Sequence, residues 1–449
     1  MNSNHFRKGQ FIVPFFVSEK WFGFVQGCHL FVMFSRLNLV YTRGKNVTVD
    51  YLIIGGGILG QAVAWTLVKA SPNADIAVIE KGLCSQATTS QAAALVTQGR
   101  TKLIASAMVQ DTLNAITELN SELDMPIPFT RCGGLHLAVS PDEIKSLNNM
   151  AHVAGELEIE HEFLEQKIVD QYCPFFNTGN SQSRLYFSGD GYVDGTILAN
   201  SFGMSARSKG VTFFQRESVT AITQLNDGYR VSRSNQLPDI KAKHLFMCAG
   251  PWAAKLLKPL GILLPVTPMR SLYWITESYP KLNADFPMCV VPSAQAYFRQ
   301  ETNHMLFGVR DKGQALHPDD IPCDVHGFQF AHDQQGLEAL EDTWEKLLHF
   351  WPDIEQLGLA NLITGISSYS TDGLPVIGCP ASHSNLTIVS GCSGAGIAYS
   401  AGIAKHAVTH AITGGIHNEL DINRFPLGDA YAEHFRNDCL LARSQKTAG

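Results

Sequence analysis

The chain is 449 residues long, 45% hydrophobic and 17% charged, enough apolar material for one large domain or two. Thirty-four Lys and Arg against 41 Asp and Glu give a net charge of −7, with no basic run that tracks a phosphate backbone, which argues against nucleic acid as a partner. Ten cysteines form no C-x-x-C pair and the histidines no H-E-x-x-H cluster, so the expectations are reduced thiols, a cytoplasmic setting and no metal site.

Residues 1–47 are rich in Phe yet interrupted by Glu19 and Lys20, and the longest uncharged run, Trp21–Ser35, is shorter than the roughly 20 residues a membrane span needs. No A-x-A-like cleavage site follows cleanly, so a poorly ordered extension or a translation-start artefact is expected, and no membrane span. The ordered pattern begins at Val49–Ile54, an apolar run that reads as a buried strand. "ILGQAVAWTLVKA" then has helical spacing, and Ile76–Ile79 reads as a second strand ending at Glu80.

Between the first strand and the helix, Gly55, Gly57 and Gly60 have the spacing G-x-G-x-x-G. The first permits a tight turn, the second lets backbone approach a pyrophosphate, and the third allows close helix packing. The helix N-terminus, opened by Ile58, adds a partial positive charge for an anion. Glu80, at the end of the second strand, suits the hydroxyls of an adenosine ribose and disfavours a 2′-phosphate, which leaves FAD or NAD.

Further along, "GGLHLAVS" (133–140) reads as a strand and "PDEIKSLNNMAHVAG" as a helix with an acidic first turn. A strand-turn-helix passage follows at 184–210, and a hairpin is expected around Asn226-Asp227-Gly228. Residues 265–312 alternate like an antiparallel sheet, "LEALEDTWEKLLHFWP" reads as one amphipathic helix, and a last helix is expected over 394–412. The fold class expected is α/β (α+β overall): a Rossmann-like dinucleotide-binding domain with a mostly antiparallel-sheet substrate domain. The first comprises 48–134, 190–264 and 360–425, the second 135–189 and 265–359, and 426–449 is a C-terminal tail.

Several passages, in order, resemble the D-amino-acid-oxidase-like flavoprotein family, which includes glycine oxidase, sarcosine oxidase and dimethylglycine dehydrogenase. They include "IIGGGILG", "ATTSQAAALVTQGR", "GDGYVDGTILANSF", "FMCAGPWAAKL", "STDGLPVIG" and "SGCSGAGIAYSAGIAK", within Val49–Ile412. The resemblance implies FAD. It places Glu80 and Lys81 at the ribose, Thr88, Thr89, Ser90, Gln91 and Ala92 along the pyrophosphate and flavin ring, Val219 at adenine, and Ala249 and Gly250 at a turn passing the cofactor. Gly394, Ala395, Gly396 and Ile397 would begin a helix whose positive end faces the flavin edge that gains negative charge on reduction. Gln91 stands where one branch carries a flavin-linked histidine, and neither Cys379 nor Cys392 matches the cysteine that attaches flavin in sarcosine oxidases, so FAD is expected to be noncovalent. Ser367 and Ser368 stand where the family often has an arginine, so one carboxylate anchor is missing.

Such chemistry needs a fork-like cation for the substrate carboxylate. Arg299 is the first candidate, with Tyr297 on the same strand face; Arg100 and Lys102 follow the flavin-lining stretch, and Arg270 and Tyr273 are weaker. Cys248 and Cys392 are expected to act as small hydrophobes. The expected function is oxidation of the C–N bond of a small amino acid or N-methylated glycine derivative, with oxygen or another acceptor taking the electrons. The alternatives are a FAD-dependent 2-hydroxy-acid dehydrogenase and a non-catalytic FAD-binding regulatory protein.

Overall fold

In the computed structural model the described residues are 47–283, 285–309, 315–322, 333–425 and 431–444; the expected extension, up to residue 46, lies outside them. The first strand runs Val47–Ile54, two residues longer at its start than its apolar core. It lies at the centre of a parallel sheet, between Ile76–Glu80 and Ile240–Met247. Leu52 and Ile53 are fully buried, as a strand covered on both faces requires. Thr212–Gln215 extends the sheet beyond Ile76–Glu80 in parallel. On the other side the sheet branches. The first half of Ile240–Met247 pairs antiparallel with Gly228–Arg233 of the expected hairpin, while its second half pairs parallel with Leu386–Ser390.

The helix Ile58–Ala70 follows the first strand without delay and is buried almost all round. It shares one core with helices Leu103–Glu122, Gly195–Ser208 and Ser400–Thr413. Its glycines are what allow it to start so close to the sheet. Gly55 has φ +109°, and a side chain there would meet the Cys248 carbonyl; a methyl at Gly60 would overlap the Gly55 carbonyl oxygen.

A second eight-stranded sheet has the order Leu359–Tyr369, Thr267–Ser278, His304–Val309, Ala296–Glu301, Met288–Val291, Gly134–Ala138, Ser183–Phe187, Glu162–Phe163. All its neighbours are antiparallel save Met288–Val291 with Gly134–Ala138. An aromatic core of Phe175, Phe176, Phe286, Phe298, Phe307, Phe350 and Trp351 fills it. The helix Pro141–Glu156 carries a capping box, with Ser140 and Glu143 satisfying each other's backbone amides, as its Pro and acidic start imply.

Four segments differ from the sequence expectation. Residues 360–369, placed with the dinucleotide-binding set, form a strand of the antiparallel sheet, in register with Thr267–Ser278. The single amphipathic helix expected over 337–352 is two helices, Asp333–Glu341 and Trp344–Phe350, because the Thr343 hydroxyl turns back to the Leu340 carbonyl. The last long helix begins at Ser400 rather than Gly394, after a run of turns. The C-terminal tail contains the helix Glu433–Ser444, anchored by Phe435 and Cys439 against Met269 and Tyr369.

Because the obstacle at Gly60 is backbone, Gly60→Ala is expected to destabilise the fold by roughly 2–4 kcal/mol. Urea unfolding of the purified variant checks this, and a midpoint matching wild type contradicts the packing described.

Candidate functional site

The loop between the first strand and its helix is held from two sides. Glu80 Oε2 accepts from the Gly56 amide at 2.8 Å, and Glu80 Oε1 accepts from the Gly82 amide at 2.8 Å. Thr89 Oγ1 accepts from the Ile58 amide at 3.0 Å and so caps a helix whose own N-cap, Gly57, has no side chain. Gln61 Nε2 donates to the Gly56 carbonyl and to Ser85 Oγ, tying the 80–90 segment to the same turn. Gly56, the middle glycine of the run, matters as much as its neighbours, since a methyl there would press on Glu80 Cβ and Cys84 Sγ. Each Glu80 oxygen keeps a second lone pair for a ligand.

These elements open onto a cavity of about 420 Å³. Its wall includes Gly55, Gly57, Ile58, Glu80, Lys81, Thr88, Thr89, Gln91, Ala92, Val219, Ala249, Gly250, Gly394, Ala395, Gly396 and Ile397, all expected at a cofactor. Two expected residues stand off it. Gly60 serves helix packing, and Ser90 is exposed, its hydroxyl bonded to the Gln86 and Ala87 carbonyls. The 394–397 segment reaches the cavity as a turn, so its amides belong to the lead-in of the last helix and not to its first turn. Cys248 also lines the wall, its thiol held protonated by burial, and Cys392 Sγ lies 3.7 Å from Ser367 Oγ.

The antiparallel sheet supplies the facing wall through Ser271, Leu272, Tyr273, Tyr297 and the run Gly365–Tyr369. Burial pushes the Tyr273 hydroxyl up to about 12, so it stays a neutral donor. Four expected cations, Arg299, Arg100, Lys102 and Arg270, are absent from this wall. Arg299 is buried with Nε donating to the Ala93 carbonyl at 2.8 Å, its guanidinium 2.6 Å from the Glu301 carboxylate and over the Tyr192 ring. It braces the segment that follows Gln91 and Ala92 on the cavity wall. Arg100 lies over the Tyr399 ring and donates to the Thr97 carbonyl, and Lys102 donates to the Asp372 carbonyl. Arg270, buried one position before Ser271, does not line the cavity either.

Several lining residues carried no expectation. Trp252 takes Lys81 over its ring at 4.1 Å, and Lys255 donates to the Ile321 carbonyl. Arg443, from the C-terminal helix, is buried beside Tyr369. The four-residue spacing of Phe435, Cys439 and Arg443 is the signal that marks that helix's buried face.

A family model described as FAD dependent oxidoreductase matches residues 50–409. The chain belongs to this family. Dimethylglycine dehydrogenase, mitochondrial, of Rattus norvegicus is 24% identical over 388 residues, 84% of this chain and 45% of that protein. The mitochondrial pyruvate dehydrogenase phosphatase regulatory subunit of Mus musculus is 23% identical over 389 residues, 83% of this chain and 43% of that protein. The chain thus spans less than half the length of these relatives. Among solved structures, L-proline dehydrogenase from P. horikoshii superimposes with a TM-score of 0.72 at 18% identity, covering 85% of this chain and 98% of that one.

FAD is the cofactor of this family, and the cavity fits it. Thr88 Oγ1, Gln91 Oε1, Ser368 Oγ and Ser390 Oγ are buried there without a hydrogen bond within the protein, a cost that a polar ligand would remove. When bound, FAD supplies a two-electron acceptor. Among the described residues the carboxylates of the lining are Glu80 and Glu217; the latter is 2.7 Å from Arg233. Among the described residues no helix is long and apolar enough to cross a membrane.

Behind the wall, Asp190 is wholly buried, its Oδ1 accepting from the Gln98 amide and side chain. Burial pushes its carboxyl up to about 7, against the two Gln98 bonds and the Arg100 charge. The folded protein thus holds this proton more tightly than the unfolded chain does. The resulting stability is full below the ordinary value of 3.8 and lost as pH rises through about 7. Asp190→Asn is expected to flatten that decline and to gain on wild type above pH 7; urea unfolding across the interval shows it, and an unchanged slope refutes it. Glu80→Ala removes the acceptor of the Gly56 and Gly82 amides on the cavity wall, so FAD affinity is expected to fall about tenfold or more. Flavin retained on dialysis measures the loss; wild-type retention excludes Glu80 from the cofactor site.

Proposed function

We propose that the chain oxidises the C–N bond of a small amino acid or N-methylated glycine derivative, holding FAD noncovalently along the Gly55–Gly57 loop. The observation that carries this reading is a single cavity that joins the glycine loop to the tyrosine-rich wall of the second sheet. At the first end bare backbone and Glu80 suit an adenosine diphosphate; at the other, Tyr273, Tyr297 and Tyr369 shape a small pocket to which the described residues bring no carboxylate that would ion-pair the amine. The carbon beside a neutral amine gives up its C–H hydrogen with both electrons, a C=N bond forms, and water hydrolyses the imine. The dimethylglycine dehydrogenase relative and the L-proline dehydrogenase neighbour, each named for an N-substituted amino acid, support this substrate class. We assign the parallel sheet and its helices to the cofactor and the antiparallel sheet to the substrate.

A second reading, a regulatory protein that keeps FAD for structure, draws on Arg299 being committed to Glu301 and on the regulatory-subunit relative. Anaerobic mixing of the FAD-loaded protein with glycine, sarcosine, dimethylglycine, proline and D-amino acids decides between them. At least one, with an N-methylated glycine foremost, is expected to bleach the visible flavin band. Bleaching by none, with dithionite still reducing the flavin, selects the regulator; bleaching by 2-hydroxy acids alone reassigns the substrate.

A further inference from the structure

The cavity-facing side of the antiparallel sheet carries a notch beneath one of its tyrosines. Tyr297, on Ala296–Glu301, pairs directly across with Gly308 on His304–Val309, so the two residues share a face. A methyl built on Gly308 would lie 2.2 Å from Tyr297 Cζ and 2.3 Å from its hydroxyl oxygen. The ring therefore leans across the neighbouring strand, in space that any side chain at 308 would fill, instead of standing up from the sheet. His304–Val309 runs between the strand of Tyr297 and Thr267–Ser278, which brings Tyr273 to the cavity from the other side.

Nothing in the backbone asks for glycine at this position. Gly308 has no positive φ and lies inside a regular strand, where glycine weakens the strand. Its neighbours Phe307 and Val309 face the other way and are buried in the aromatic core, as strand positions prefer. What the missing side chain provides is room for the ring. Tyr297 is half-buried and lines the cavity, and the atoms in the way are the free end of a side chain, not backbone. A side chain at 308 therefore lifts the ring off the sheet and into the cavity by about 1.5 Å, the step from 2.2 Å to ordinary carbon contact. The cofactor side of the wall uses the same device, since a methyl at Gly365 would sit 3.0 Å from Gln91 Cβ.

We infer that Gly308 sets the size of substrate the pocket admits, by letting the Tyr297 ring rest in the sheet instead of in the cavity. Gly308 is a positioning residue, since it acts through the ring and touches no ligand itself. With the notch open, the pocket takes an amino acid that carries a substituent beyond the glycine skeleton, such as an N-methyl group or the ring of proline; with a side chain at 308 it is restricted to glycine itself. This rests on the assignment of the antiparallel wall to the substrate.

The test uses the full-length, FAD-loaded protein titrated with acetate, methoxyacetate and ethoxyacetate, read by perturbation of the flavin absorbance. These carboxylates have equal charge and rising length, and no amine to oxidise. Wild type is expected to bind all three. Gly308→Ala is expected to weaken methoxyacetate and ethoxyacetate by about tenfold or more and acetate by less than about threefold, with FAD retained. Tyr297→Ala, which clears the same space from the other side, is expected to strengthen ethoxyacetate relative to acetate. Adding Gly308→Ala to it should change nothing further, because the contact that Gly308 relieves is gone. A merely structural role at 308 gives equal losses for all three probes, with or without the ring. Wild-type affinities in Gly308→Ala, or a loss that persists in the double variant, overturn the inference. Where Gly308→Ala does not fold, an unchanged ethoxyacetate-to-acetate ratio in Tyr297→Ala overturns it. Binding of no probe by wild type rejects the substrate wall and the inference with it. The titrations need no turnover, so failure of every amine to bleach the flavin leaves their outcome standing.

Discussion

The structure depends on keeping a short stretch of backbone bare and in place. Gly55 and Gly57 leave bare backbone on the cavity wall, and a loop without side chains has nothing of its own to hold its shape. The surrounding residues supply that hold. Glu80 binds the Gly56 amide of the loop and the Gly82 amide of its own turn, the Thr89 hydroxyl caps the helix that Gly57 cannot, and Gln61 and Ser85 close the turn from behind. Gly60 lets the helix start against the sheet, so the loop is short enough to stay rigid. The acid expected only at a ribose is thus also a structural brace of the phosphate loop.

From that fixed edge the rest of the site is built by apposition. The parallel sheet presents the carboxyl ends of its strands, and the antiparallel sheet brings up a wall of tyrosines and small residues from Thr267–Ser278, Ala296–Glu301 and Leu359–Tyr369. Arg299 joins the two through its bond to the Ala93 carbonyl, which fixes the cavity-lining stretch around Gln91 and Ala92 against the second sheet. Burial of that guanidinium is offset by Glu301 and the Tyr192 face, so its charge is internal to the protein. A cavity with polar atoms left unsatisfied at Thr88, Gln91, Ser368 and Ser390 is the outcome, and the cofactor is what those atoms await.

Arg299 and Arg443 show how similar residue types part company. Both are buried arginines stacked near tyrosine rings. Strand alternation places Arg299 and Tyr297 on one face, and that much is legible from "AYFRQ". Which way a long side chain then folds depends on the acceptors around it, and Glu301 two residues on and Ala93 two hundred residues earlier decide it. Arg443 sits in a segment that reads as a tail, and its place on the cavity wall exists only because Phe435 and Cys439 dock their helix on Met269 and Tyr369.

What the sequence by itself determined was local: the strand–glycine–helix unit, its closing acid, the hairpin at Asn226-Asp227-Gly228 and the capped helix at Pro141. These follow from periodicity, capping and the backbone freedom of glycine, which act over a few residues. Only the tertiary structure decided that residues 360–369 join the antiparallel sheet, that the last long helix waits until Ser400, and which arginine reaches the cavity. Those outcomes turn on contacts between segments far apart in the chain, where the winning hydrogen bond or packing partner is set by three-dimensional register and leaves no periodic mark in the residues that make it.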